Sequence, residues 1–176
     1  MTVLASTAYP SGTVFEVVQG NLLEQDTDAI VNAANGLLAH GGGVAAIISR
    51  AAGPELQKES DRLVREHGPF ATGAAVVTTA GKLPFKGVIH AVGPQQGEGD
   101  ERRKLEQALA SAFACARERG WASVAFPAVS AGIFAVPLDV CARAYRAAAR
   151  KAPISKVVLC LRDQPVIDAV LKELRV

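Results

Sequence analysis

The chain has 176 residues, enough for one domain with a sizeable core. Hydrophobic residues make up 49% of it and charged residues 20%, a balance that excludes a disordered chain. A formal net charge of +2 excludes the strongly basic surface of a stand-alone nucleic-acid binder, and no apolar run reaches the roughly 18 residues that span a bilayer.

Residues 1–12 read as a lead-in broken by Pro10-Ser11-Gly12, without the charged-then-apolar pattern of a signal peptide. A cytoplasmic protein is therefore expected, with one domain over 13–176 and a monomeric state. Thr13 to Val18 alternates and is rich in β-branched residues, as a strand does. Ala29 to Val31 is a second, short strand. Gly43 to Ala52 is small and apolar, a tightly packed helix, and Pro54 suits the first turn of another. Leu56, Leu63 and Val64 share a face of that second helix, which His67-Gly68-Pro69 ends. Strands are predicted at Ala74–Thr79 and Gly87–Val92, separated by a turn at 80–84.

A polar, glycine-rich loop over 93–100 leads to a long helix, Glu101–Arg119, with Leu105, Leu109, Ala112, Phe113 and Ala116 on one stripe. Ser123 to Ala128 reads as a strand. Pro137 opens a helix with Val140, Cys141, Ala144, Tyr145 and Ala148 inward. Lys156 to Leu161 is almost continuously apolar, as expected at the centre of a sheet covered on both faces. Pro165 opens the last helix. The alternation predicts a three-layer α/β/α sandwich on a mixed, mainly parallel central sheet. Cys115, Cys141 and Cys160 are widely spaced and lie on apolar elements, so they read as buried small hydrophobes.

Two segments carry the chemistry. The run Asp28–Val44, DAIVNAANGLLAHGGGV, puts Asn32, Asn35 and His40 just after an apolar strand and then opens a helix with Gly41, Gly42 and Gly43. Exposed N–H groups at a helix N-terminus favour an anion, a phosphate above all. The second segment, Ser130-Ala131-Gly132-Ile133-Phe134, also follows an apolar strand. Two such loops at strand ends suit a diphosphate, with Phe134 over a sugar ring. Asn32 is expected to hold the turn and Asn35 to meet ligand hydroxyls, and His40 to donate to the ligand or shuttle a proton. His90 reads as a satisfied core residue. Gly41, Gly43 and Ala46 also fit a G-x-G-x-x-A dinucleotide pattern, but Ala33 to His40 intervene where the first glycine should follow the strand directly. No metal-ligand spacing, paired-carboxylate motif or nucleophile elbow is present, and no cofactor is expected.

The segments AIVNAAN (29–35), HGGGVA (40–45), RAAGPEL (50–56), GAAVVTTAGKLP (73–84), VIHAVGP (88–94) and PAVSAGIF (127–134) together resemble the macrodomain family, over nearly the whole chain from Thr13. The HGGGVA and SAGIF pieces are similar to those of coronavirus macrodomains and of macrodomains in vertebrate ADP-ribosyltransferases. The resemblance implies an ADP-ribose site. Gly42, Gly43 and Val44 would enclose the diphosphate with Ser130, Ala131, Gly132, Ile133 and Phe134. Asn35 would hold the distal ribose, with His40 and Gly41 beside it. Asn21 and Leu22 stand where the family has Asp-Ile at the adenine, and Leu161 and Arg162 where many members have an aromatic residue. Ala45 replaces an aspartate of one hydrolase class.

The implied activity is metal-independent hydrolysis of mono-ADP-ribose from Asp or Glu side chains of proteins, with Asn35 and His40 catalytic, and also deacetylation of O-acetyl-ADP-ribose. A reader module that binds ADP-ribose without cleaving it is the competing implication, and a single-stranded RNA or poly(A) binder a third. Partners would be ADP-ribose or mono-ADP-ribosylated proteins, not a membrane or nucleic acid.

Overall fold

A computed structural model describes residues 1–175. Seven strands form one sheet in the order β1-β2-β7-β6-β3-β5-β4. Strands β2 (Val14–Gln19), β7 (Lys156–Leu161), β6 (Ser123–Phe126), β3 (Ala29–Ala34) and β5 (Gly87–Val92) run parallel. The two edge strands, β1 (Thr2–Ala8) and β4 (Ala75–Thr78), are antiparallel to their neighbours.

Side chains alternate across the sheet, so each strand feeds two cores. On one face Ala29 and Val31 of β3 and Ile89 and Ala91 of β5 pack under α3 (Glu101–Glu118), α4 (Leu138–Arg150) and α5 (Gln164–Leu174). Phe126 there meets Phe113 and Tyr145 edge-to-face at ring separations of 5.7 and 5.8 Å. On the other face Ile30, Val88 and Val158 pack against Ile48 and Ala52 of α1 (Gly43–Ala52) and Leu56 of α2 (Pro54–His67). This is the three-layer sandwich on a mixed, mainly parallel sheet.

Residues 2–8 correct the expected lead-in. They form β1, paired along β2 with a bulge between Val3 and Ala5. Pro10-Ser11-Gly12 is the hairpin turn between the two strands, closed by Gly12 N–H on the Tyr9 carbonyl and Tyr9 N–H on the Thr13 carbonyl, both at 2.9 Å. As an edge strand, β1 is half exposed and lacks a long apolar run.

The two rims of the parallel strands differ. At the rim where they begin, side chains tie neighbouring strands together. Asp28 accepts from Ala122 N–H at 2.7 Å and pairs with Lys86 at 3.1 Å, and its own N–H donates to Ser123 Oγ. Thr13 Oγ1 lies 2.9 and 2.8 Å from the carbonyls of Ala152 and Ile154. The rim where they end carries both glycine-rich loops.

Candidate ligand-binding site

The two loops meet. A Cβ placed on Gly42 would lie 3.8 Å from Cδ1 of Ile133, the nearest atom to it. Ile133 is 84% exposed and reaches over the glycine run from the loop after β6. On the first side, Gly43, Val44 and Ala45 form the first turn of α1, where N–H groups have no intrahelical acceptor. On the second, the N–H groups of Gly132, Ile133 and Phe134 donate to no backbone carbonyl among the described residues. Two sets of free donors thus flank one crevice.

Each loop is held from below. Leu38, at φ +49°, is fully buried with Ala34, Val92 and Phe70 around it. A Cβ on Gly36 would run into the Phe70 carbonyl oxygen, which is why this position is glycine. The second loop is held by α4: the Tyr145 hydroxyl donates to the Val129 carbonyl at 2.5 Å, and Cys141 Sγ approaches the Val136 carbonyl at 3.6 Å. Ser130 sits at φ +67° with its hydroxyl buried and unpartnered among the described residues. Neither Tyr145 nor Cys141 stood out in the sequence except as apolar-face residues.

A cavity of about 140 Å³ adjoins the crevice, lined by Leu22, Val44, Pro127, Ala128, Leu161 and Val166 among others. Its lining is mostly apolar and also includes Arg162 and Asp163. Two larger hollows, of about 520 and 630 Å³, lie on the outer surfaces of α3–α4 and α2, away from the strand ends.

Beneath the glycine run lies a buried polar chain. Asn32 and His90 are register partners on β3 and β5. Asn32 Nδ2 lies 3.0 Å from His90 Nδ1 and 3.2 Å from His40 Nδ1. His90 Nε2 meets Thr78 Oγ1 at 2.8 Å, and His40 Nε2 meets Ser60 Oγ at 3.0 Å. The amide has two protons, one for each ring, so both Nδ1 atoms accept and both rings are neutral with the proton on Nε2. Ser60 then donates to the Leu56 carbonyl at 2.8 Å and Thr78 to the Thr79 carbonyl at 3.0 Å. Burial pushes the His90 pKa down to about 3, helped by the neighbouring His40 ring, which stacks on it at 4.9 Å. Burial also lowers that of His40.

A family model for the macro domain matches residues 31–145. The chain belongs to the macrodomain family. It is 43% identical over 163 residues to the protein SSO2899 of Saccharolobus solfataricus, covering 90% of this chain and 91% of that one. It is 45% identical over 123 residues to the O-acetyl-ADP-ribose deacetylase of Escherichia fergusonii, covering 69% and 70%. The solved macrodomain of Oceanobacillus iheyensis with ADP superposes at a TM-score of 0.88 with 27% identity, covering 97% and 95%.

Within this macrodomain three side chains sit otherwise than expected. His40 turns inward. It is 8% exposed, and Ser60 and Asn32 occupy both ring nitrogens, so it supports the glycine run instead of facing the crevice. Asn32 lies in β3, not in a turn, and bridges two histidines. Asn21 Oδ1 accepts from Leu23 N–H at 3.0 Å and caps the short 3-10 turn Leu22–Glu24.

Asn35 is half-buried, and its oxygen accepts from Leu37 and Ala39 N–H at 3.1 Å each. Its Nδ2 gives one proton to the Ala39 carbonyl at 3.0 Å, leaving one N–H uncommitted. Gly41, Gly42 and Gly43 are exposed at the crevice, Phe134 is half-buried, and Ala45 is buried in the first turn of α1.

Proposed function

We propose that this macrodomain binds ADP-ribose and hydrolyses an ester on its distal ribose. The observation that carries the reading is the approach of Gly42 to Ile133, which sets two groups of unpaired N–H donors around one crevice. A diphosphate there would accept from Gly43, Val44 and Ala45 on one side and from Gly132, Ile133 and Phe134 on the other, aided by the dipole of α1. The 140 Å³ cavity beside Val44 takes the base, and Asn35, farther along the glycine loop, turns its free N–H to the distal ribose. The name of the Escherichia fergusonii relative supports hydrolase chemistry.

The finer substrate is ADP-ribose esterified to an Asp or Glu side chain of a protein. Its leaving group is a carboxylate whose conjugate acid has a pKa of about 4, so it departs at neutral pH without a strong general acid. Water adds at the ribose carbon that bears the ester. The carboxylate leaves with the bonding pair, and the water's proton passes to a phosphate oxygen or to solvent. Catalysis then rests on positioning and fixed dipoles, which suits a site whose two buried histidines are neutral and turned away. For the acetyl ester of O-acetyl-ADP-ribose the water would instead add to the acetyl carbonyl carbon, the bond from that carbon to the ribose oxygen breaks, and the water's proton goes to the departing ribose oxygen, giving acetate and ADP-ribose.

The deciding assay uses a glutamate-linked mono-ADP-ribosylated protein and the Asn35→Asp variant. Aspartate keeps both acceptor bonds to Leu37 and Ala39 N–H but loses the Nδ2 bond to the Ala39 carbonyl as well as the N–H for the ribose, so calorimetric binding of ADP, which has no distal ribose, is measured beside it to confirm that the loop is intact. Loss of label with the native protein and at least tenfold slower loss with the variant supports the enzyme. Calorimetric binding of ADP-ribose with no loss of label supports a reader, the reading that the buried, uncharged Ala45 favours.

A further inference from the structure

We infer that the turn beside Asn35 is a docking ledge for the polypeptide that carries the ADP-ribose, and that Leu37 on it selects modified acidic residues with an apolar neighbour. The inference rests on Asn35 meeting the distal ribose, as proposed above.

Leu37 is a large apolar side chain left 60% exposed. One exposed leucine is ordinary on a protein surface, so its place carries the argument. Its N–H donates to Asn35 Oδ1 at 3.1 Å, which sets the leucine directly beside the carboxamide. The same oxygen accepts from Ala39 N–H, and Leu38 N–H donates to the Asn35 carbonyl at 3.0 Å. Leu38 itself is fully buried at φ +49°. With its neighbour pinned inside and its own N–H held, Leu37 is kept on the outside of the turn.

A second segment extends the ledge. Phe70 N–H donates to the Gly36 carbonyl at 2.8 Å, so residues 69–72 lie against the Asn35–Leu37 turn. Pro69 and Ala71 are exposed, and Phe70 is half-buried on the cluster of Ala34, Leu38 and Val92. Neither 35–39 nor 69–72 holds a charged side chain. The far end is braced. Thr72 Oγ1 donates to Glu98 at 2.9 Å, Glu98 also holds Gln95 N–H, and Gln96 N–H donates to the Phe134 carbonyl of the second crevice loop at 2.8 Å. An apolar surface fixed in this way costs little ordering when a partner settles on it.

The covalent geometry of the substrate names the occupant. In an ester of Asp or Glu the polypeptide joins the ligand at the distal ribose, so it leaves the crevice past Asn35. Successive Cα atoms are about 3.8 Å apart, so residues one or two places from the modified one lie within about 4–7 Å of it and pass over the ledge. An aliphatic side chain there covers Leu37 and leaves water. A hydroxyl or charged side chain gives up water without gaining a partner. An acetyl group has no flanking residue, so O-acetyl-ADP-ribose is indifferent to the ledge.

The experiment is calorimetry with three probes: free ADP-ribose and two peptides that carry ADP-ribose on a glutamine side chain, through an amide nitrogen in place of the ester oxygen, so that the link resists hydrolysis. One peptide has leucine on both sides of the modified residue and the other has serine. The native protein should bind the leucine peptide about fivefold more tightly than the serine peptide. Leu37→Ser should lose most of that preference while its affinity for free ADP-ribose and its thermal unfolding stay unchanged, and Leu37→Met should keep the preference. Equal binding of the two peptides by the native protein overturns the inference, as does an undiminished preference in Leu37→Ser. A matching loss of free ADP-ribose affinity in Leu37→Ser also overturns it, because the leucine would then serve the ligand and not the polypeptide. Failure of free ADP-ribose to bind the native protein would instead overturn the placement of the ligand in the crevice.

Discussion

The Tyr145 hydroxyl donates to the Val129 carbonyl at 2.5 Å, tying the middle of α4 to the base of the Ser130–Phe134 loop. Tyr145 is fully buried, and burial holds its pKa well above the ordinary tyrosine value, so the bond persists at any pH of interest. Removing the hydroxyl leaves the carbonyl, among the described residues, with only the distant thiol of Cys141, 4.0 Å away. Tyr145→Phe should cost about 1–3 kcal/mol in denaturant unfolding. It should also weaken ADP-ribose binding several-fold in calorimetry, because the loop whose N–H groups face the diphosphate loses its anchor. Full affinity in a destabilised variant would show that the loop holds its shape unaided.

Gly42 has extended backbone that any residue adopts, and a Cβ there meets nothing closer than 3.8 Å. Gly42→Val should therefore unfold within about 0.5 kcal/mol of the native protein. Its branches enter the space between the two loops, so ADP-ribose binding should weaken by about tenfold or more. The two readouts, unfolding and calorimetry, separate a blocked crevice from a damaged fold.

Gly36 behaves in the opposite way. Its added Cβ would strike the Phe70 carbonyl oxygen, whose residue also donates N–H to the Gly36 carbonyl at 2.8 Å. Gly36→Ala should cost about 1–3 kcal/mol by forcing the backbone apart. It should displace Asn35 and slow any hydrolysis more than it weakens binding of ADP, which has no distal ribose. A melting curve and the label-release assay check both halves.

Acid should destabilise the fold before its carboxylates titrate. His90 holds a pKa of about 3 when folded, against about 6.5 in an unfolded chain, and His40 is also lowered. As pH falls below 6.5 the unfolded state takes up protons that the folded state refuses. Stability is complete above that value and is lost on the way down, approaching about 1.4 kcal/mol per pH unit for His90 alone. Denaturant unfolding between pH 7.5 and 5 measures the slope. A flat profile would mean that the Asn32 amide turns over to accept a proton from the rings.

The sequence made most of the scaffold legible because its periodicities are local. The helix over Gly43–Ala52 and the strands over Gly87–Val92 and Lys156–Leu161 lie where their patterns place them. The first strand is not legible because an exposed, bulged edge has no apolar run to announce it, and its hairpin turn reads as a plain break. Around the crevice, the two glycine loops were visible as loops. The orientation of His40 was not, since its partners, Ser60 on α2 and Asn32 on β3, come close only when the sheet and helix pack. Tyr145 was hidden for the same reason: nothing local distinguishes an inward tyrosine that anchors a distant carbonyl from one that merely fills space.

The contrast between the two ends of the parallel strands divides labour within the molecule. Asp28, Lys86, Ser123 and Thr13 cross-brace the end where the strands start, a strand's length from the crevice loops at the other end. A chain stitched shut at one end is free to vary the other. New ligand preferences should thus be reachable by exchanging loop residues alone, with the braced end serving as a fixed foundation and as the safer place to attach a fluorophore or a tether.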